Sequence, residues 1–137
     1  MQSLNLKTVK RVRAVRECIE ILKSISPSHS LNYNGEIFQV NNYHPFWATQ
    51  SIPRVYVAAN KPQMLKMSSR LSDGIMMSDL PATLIKRTVE EVSAHLEAFG
   101  RDLDDFRFNN FMAWALYNDK EEAIKEARQW LGYRGLF

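Results

Sequence analysis

Residues 54–78, RVYVAANKPQMLKMSSRLSDGIMMS, constrain this chain more than any other segment. Val55, Tyr56, Val57, Ala58 and Ala59 form an apolar run rich in strand formers. Asn60-Lys61-Pro62 breaks it, and Pro62 suits the first position of a helix, where an N–H has no intrahelical acceptor anyway. Asp73-Gly74 ends that helix, and Ile75, Met76 and Met77 begin a second apolar run. Neither run alternates polar with apolar residues, so both read as parallel strands covered on both faces. The segment is therefore strand, turn, helix, tight turn, strand. A turn between a strand's C-terminal end and a helix N-terminus presents unpaired backbone N–H groups to an anion.

The rest of the chain continues the alternation. Val9, Val12, Val15, Ile19 and Leu22 recur at helical spacing, and Cys18, Ile21 and Ile25 widen the stripe, which predicts a helix over residues 9–25. Pro27 stops it. Residues 31–40 read as a β-hairpin inserted at about 30–41, turning at Asn34-Gly35, because type I′ turns need positive φ at both central positions. Residues 41–53 form an irregular connector whose Tyr43, His44, Phe46 and Trp47 are expected to lie against something apolar. Leu80-Pro81 opens an amphipathic helix with Ile85, Val89, Val92, Leu96 and Phe99 on one face and Gly100 as its C-cap. Residues 106–116 are the third parallel strand. Asn118 or Asp119 caps a last helix whose buried stripe is Ala123, Ile124, Ala127 and Leu131. Strands alternating with helices predict an α/β fold in one domain, residues 1–137, with 54–59, 74–78 and 106–116 side by side in that order.

Composition excludes several function classes. The net charge is +3, and much of the excess sits in Lys7, Lys10, Arg11, Arg13 and Arg16. These share a stretch with the apolar stripe of the first helix, so they read as its solvent face, and no nucleic-acid partner is expected. No cationic leader precedes an apolar stretch, and no run approaches the ~20 residues that span a bilayer, so neither a signal peptide nor a membrane partner is expected. The single cysteine, Cys18, has no internal partner; it is expected to pack as a small apolar residue in a reducing, cytoplasmic setting. His29, His44 and His95 lack metal-ligand spacing, so no metal is expected.

The central segment also carries a family resemblance. Ala58-Ala59-Asn60-Lys61-Pro62-Gln63-Met64-Leu65 followed by Asp73-Gly74 resembles the luciferase-like monooxygenase superfamily, in particular its deazaflavin-dependent methylenetetrahydromethanopterin reductase branch. Val15-Arg16-Glu17, Tyr33-Asn34-Gly35-Glu36-Ile37-Phe38, Gly100-Arg101-Asp102, Asn118 to Ala123 and Arg134-Gly135 extend the likeness over nearly all of the chain. The resemblance implies a partial (β/α)8 TIM barrel of the luciferase-like type, with about three parallel strands, flanking helices and the inserted hairpin. It implies an oxidoreductase moving a hydride between coenzyme F420, or alternatively FMN, and a small-molecule substrate. Three strands do not close a barrel that needs eight. The chain is thus expected to be a fragment or split subunit, or to need a homo-oligomer or a partner chain supplying the missing strands, and not to be a stable monomer.

The resemblance assigns cofactor phosphate binding to the turn comprising Ala59, Asn60, Lys61, Gln63 and Met64, through backbone amides that Pro62 lacks. The family often carries glycine at positions 60 and 61, and lysine tolerates left-handed backbone poorly. A plain βα turn without ligand is the rival reading. Asp73-Gly74 reads as a structural turn, and Ser68-Ser69 as small residues for helix–sheet packing. Ser78 and Asp79 either line the substrate mouth or cap the helix before Pro81. Met64, Met67, Met76 and Met77 read as core filling. No catalytic residue is assignable, and the rival function is a non-catalytic half-barrel serving as an interaction or scaffold protein.

Overall fold

A computed structural model describes residues 10–48 and 53–134. The elements are α1 (Arg11–Ser24), β1 (Leu31–Asn34), β2 (Gln39–Tyr43), β3 (Tyr56–Ala58), α2 (Pro62–Leu71), β4 (Gly74–Ser78), α3 (Ala82–Ala98), β5 (Arg107–Phe111) and α4 (Lys120–Arg134). β3, β4 and β5 form a parallel sheet in that order, as the alternating pattern predicts. Val57 lies beside Ile75, and Ile75 beside Phe108. The two crossover helices, α2 and α3, pack against each other, and α1 packs on α2. Ile19, Val57, Leu65, Ile75, Met77, Val92, Leu96 and Phe106 form one core between these helices and the sheet.

Small side chains let α2 come close to β4. Ser68, Ser69 and Ser72 are fully buried. The Ser69 hydroxyl donates to the Leu65 carbonyl and that of Ser72 to Ser68 and Gly74, so these hydroxyls are satisfied locally. Arg101 donates to the carbonyls of Ser69 and Ser72 at 2.7 and 2.8 Å, closing the C-terminal end of α2 where carbonyls lack helical partners. Asp73 is structural, as its turn setting predicts. Its carboxylate accepts the Val55 N–H at 2.7 Å and the Lys23 ammonium at 2.9 Å, tying β3 and α1 to the α2–β4 turn.

Several expectations need correction. Among the described residues only one face of the sheet is covered: Val57, Ile75 and Met77 are buried, whereas Tyr56, Met76 and Phe111 are exposed on the other. Met76 is therefore not core filling. The third strand ends at Phe111, not at residue 116, and Met112, Trp114 and Leu116 are exposed beyond it. The hairpin pairs Asn34 with Gln39, so its loop is four residues long rather than an Asn-Gly pair. The reason lies in α1: the buried Glu17 carboxylate accepts the N–H groups of Glu36, Ile37 and Phe38 at 2.9–3.0 Å. Gly35 is needed there because a Cβ would collide with that carboxylate, not because φ is positive. Cys18 is exposed, on the outer side of α1. In the connector Tyr43, Phe46 and Trp47 are exposed; Trp47 donates its indole N–H to the Tyr43 hydroxyl. Asp119 does cap α4, accepting the Glu122 N–H, but Ile124 on the expected stripe is exposed, and the side chain of Leu131 lies outside the described residues.

Candidate functional site

The C-terminal ends of β3, β4 and β5 lie side by side, so the loops that follow them share one edge of the sheet. The first loop is residues 59–61, leading into α2. Lys61 occupies the N-cap position with extended backbone (φ −116°, ψ 147°), and Pro62 follows at the first helical turn. Lysine is therefore unstrained here, and glycine is not required. No side chain caps this helix, and its first turn holds no acidic residue. Among the described residues, the N–H groups of Asn60, Lys61, Gln63 and Met64 have no backbone acceptor outside the helix, while Leu65 N–H closes onto Lys61. Ala59 differs. It is buried, and its N–H donates to the Met76 carbonyl at 3.3 Å, so its amide is committed to the sheet. The sequence-predicted cradle thus reduces to four amides at a helix start. Of these residues, Gln63 borders a cleft with Lys10, Arg11, Arg13 and Arg16. Lys10 and Arg13 share Glu36 as partner, and the Arg16 Nε lies 3.4 Å from Glu20.

The second and third loops are locked together. Asp79 adopts left-handed backbone (φ 50°). Its N–H donates to the Phe111 carbonyl at 2.7 Å, and its carboxylate accepts the Ala113 N–H at 2.9 Å. Asn110 accepts the Leu80 N–H and donates to the Leu80 carbonyl. Asp79 therefore holds the chain leaving β5. It does not cap α3, whose N-cap is Pro81 with no side-chain cap. Beside this lock lies an open cavity of about 640 Å³, bordered on its far side by α4. Its wall is largely apolar, with Leu80, Phe111, Met112, Trp114 and Trp130, and it carries the carboxyl groups of Asp79 and Glu126 at its margin.

Residues 3–135 match the family model described as luciferase-like monooxygenase. The chain belongs to that family. This luciferase-like chain is 27% identical over 119 residues to a 5,10-methylenetetrahydromethanopterin reductase of Archaeoglobus fulgidus, covering 87% of its own length and 36% of the reductase. Its fold superimposes on a coenzyme F420-dependent tetrahydromethanopterin reductase from Methanopyrus kandleri with a TM-score of 0.70 at 19% identity, covering 83% of this chain and 33% of that one. It superimposes on an F420-dependent secondary alcohol dehydrogenase, solved with an F420–acetone adduct, with a TM-score of 0.79 at 14% identity, covering 88% and 37%. The fold is thus that of part of a luciferase-like barrel, and the chain spans about a third of the length of these relatives.

In the luciferase-like chain the helix start at residues 60–64 is formed by contiguous residues, and so its geometry was legible. The Asp79 lock and the apolar cavity were not. Trp114 and Met112 read as strand residues, and Trp130 stands alone in a polar helix. The one sequence signal was the density of large apolar residues past position 111, more than a strand buried on one face requires. His29 and His44 lie on the connectors that precede and follow the hairpin. Among the described residues no cluster of His, Cys, Asp and Glu has metal-holding geometry. No described helix is long and apolar enough to cross a membrane.

Proposed function

We propose that this luciferase-like chain supplies the phosphate-holding portion of an F420-dependent oxidoreductase barrel, with FMN as the alternative cofactor. The observation that carries this reading is the uncapped, acid-free N-terminus of α2, where the amides of Asn60, Lys61, Gln63 and Met64 have no backbone acceptor outside the helix and Gln63 borders a cleft with basic side chains of α1. These residues fit an anionic group: two or three charge-assisted hydrogen bonds of ~1.5–3 kcal/mol each, plus a helix-end interaction of ~0.3–2 kcal/mol, hold a phosphate tail. The relatives named above support the choice of F420. When bound, such a cofactor supplies the hydride chemistry itself.

The chain's own residues bind and orient. The amides fix the tail, Lys61 adds a screened positive charge, and the lock between Asp79 and Ala113 holds the neighbouring loop rigid. The open face of Tyr56, Met76 and Phe111 would be the barrel interior, closed by the remaining strands from the same protein, a second copy or a partner chain. A non-catalytic half-barrel would use this face for interaction only.

Fluorescence titration of F420 and of FMN separates these readings, with the remaining barrel strands supplied. Asn60→Pro removes one amide and fixes φ near −65°, so affinity should fall at least about tenfold with the fold intact. Lys61→Ala should have a smaller effect that fades with salt. Equal affinity of Asn60→Pro and wild type overturns the cradle. No binding of either cofactor favours the scaffold.

A further inference from the structure

The outer surface of the helix layer carries charges that the fold does not neutralise. Val12, Arg16 and Glu20 recur every four residues along α1, so they form one row. Gln63, Lys66 and Arg70 form a second row along α2, at i, i+3 and i+7. α1 packs on α2, and the two rows border a groove of about 620 Å³. Met67, Leu71 and Phe99 give it an apolar floor. From Gln63 to Leu71 the groove runs ~12 Å at the helical rise per residue.

The cations of this groove are short of partners. Lys66 and Arg70 are exposed, and among the described residues they make no hydrogen bond or ion pair. Glu20 is the one carboxylate in the lining, and it accepts the Tyr33 hydroxyl. Arg16 Nε lies 3.4 Å from the other Glu20 oxygen, yet it is buried without a hydrogen-bond partner. A buried donor left unpaired is unfavourable, and like charges lining one groove repel. An anion in the groove relieves both. The lining also selects among anions. A small inorganic ion leaves the apolar floor uncovered. A second copy of this chain carries the same net charge of +3 and is repelled. A nucleic acid brings an unbroken row of phosphates, which Glu20 interrupts and the floor does not match.

We propose that the α1–α2 groove docks an acidic segment of another protein, with aliphatic side chains on the floor and carboxylates on Arg16, Lys66 and Arg70. About four extended residues fill its length at ~3.3 Å each. The groove lies on the helix layer, and the proposal does not rest on the cofactor reading above.

Fluorescence anisotropy of the full chain with labelled peptides tests it. A peptide alternating glutamate with leucine should bind at least about tenfold more tightly than its glutamine counterpart, and salt should close the gap. Serine in place of leucine should weaken binding about threefold, because the floor then stays uncovered. Lys66→Glu and Arg70→Glu should each weaken it at least about fivefold. Both residues are exposed, so circular dichroism and urea unfolding should be unchanged. Lys86→Glu, exposed on α3 outside the groove lining, alters the net charge equally and should change binding less than about twofold. If Lys86→Glu weakens binding as much as Arg70→Glu, the attraction belongs to the charge of the whole molecule and the proposal is overturned. Equal binding of the glutamine peptide overturns it too, as does tighter binding of an oligodeoxythymidine of matched charge.

Discussion

Ile75 and Met76 are adjacent on β4 and equally apolar, yet one is fully buried and the other is 46% exposed. The difference extends across the sheet. On the helix side Val57, Ile75 and Met77 are sealed by α2 and α3, and the hydroxyls of Ser69 and Ser72 have their own acceptors. On the other side Tyr56, Met76 and Phe111 meet solvent. An apolar run marks a strand that must be covered, but it does not say which element covers it or whether that element lies in the same stretch of chain. In a closed barrel both faces would be dry.

The comparison is broken most directly by truncation on each side. Ile75→Ala should cost ~2–5 kcal/mol in urea unfolding, because a buried aliphatic group is lost and a cavity remains. Met76→Ala should cost under about 1 kcal/mol in the isolated chain, where about half of the residue meets solvent. If Met76→Ala matches Ile75→Ala, the open face is covered in solution, and the comparison fails.

Two glycines give a second contrast, between a crowded strand and an open helix. A Cβ at Gly74 would collide with the Arg107 carbonyl and the Tyr56 ring, while one at Gly132 of α4 meets nothing within 4 Å. Gly74→Ala should destabilise by ~1–3 kcal/mol through overpacking. Gly132→Ala should stabilise α4 by up to ~1 kcal/mol. Thermal unfolding of the two variants should move in opposite directions.

Carboxylates test how firmly the covered side is tied. Burial pushes the pKa of Glu17 up, but the amides of Phe38, Ile37 and Glu36 and the charge of Arg13 outweigh it, so it lies below 4.5. Burial likewise raises Asp73, and the Val55 amide, Lys23 and Arg101 together bring it below 3.8. Both folded-state values are depressed. Their contribution is therefore full above the unfolded values and is lost as pH falls through the folded ones. The urea midpoint should drop below about pH 4.5, and Glu17→Gln with Asp73→Asn should flatten that drop. An unchanged slope would mean that the ties are not made in solution. The smallest effect belongs to Cys18, which is exposed: Cys18→Ser should alter stability by less than about 0.5 kcal/mol, and a thiol reagent should label the folded protein at once.

Local spacing determined much of this protein. The helical stripes, Pro62 at a helix start, Gly100 in left-handed backbone and the parallel order of three strands all follow from residues close in sequence. The backbone of the turn proposed as a cradle belongs to this class, because residues 60–64 are consecutive. Contacts between distant segments were decided elsewhere. Glu17 sets the hairpin loop from about twenty residues away, Asp79 holds the end of β5 across a crossover, and Trp114 meets Trp130 around one cavity only because α4 folds back beside its strand. Periodicity reports which face of an element is apolar. Which apolar faces meet depends on how the whole chain shares its buried surface, and here that sharing left one side of the sheet and one face of α4 open among the described residues.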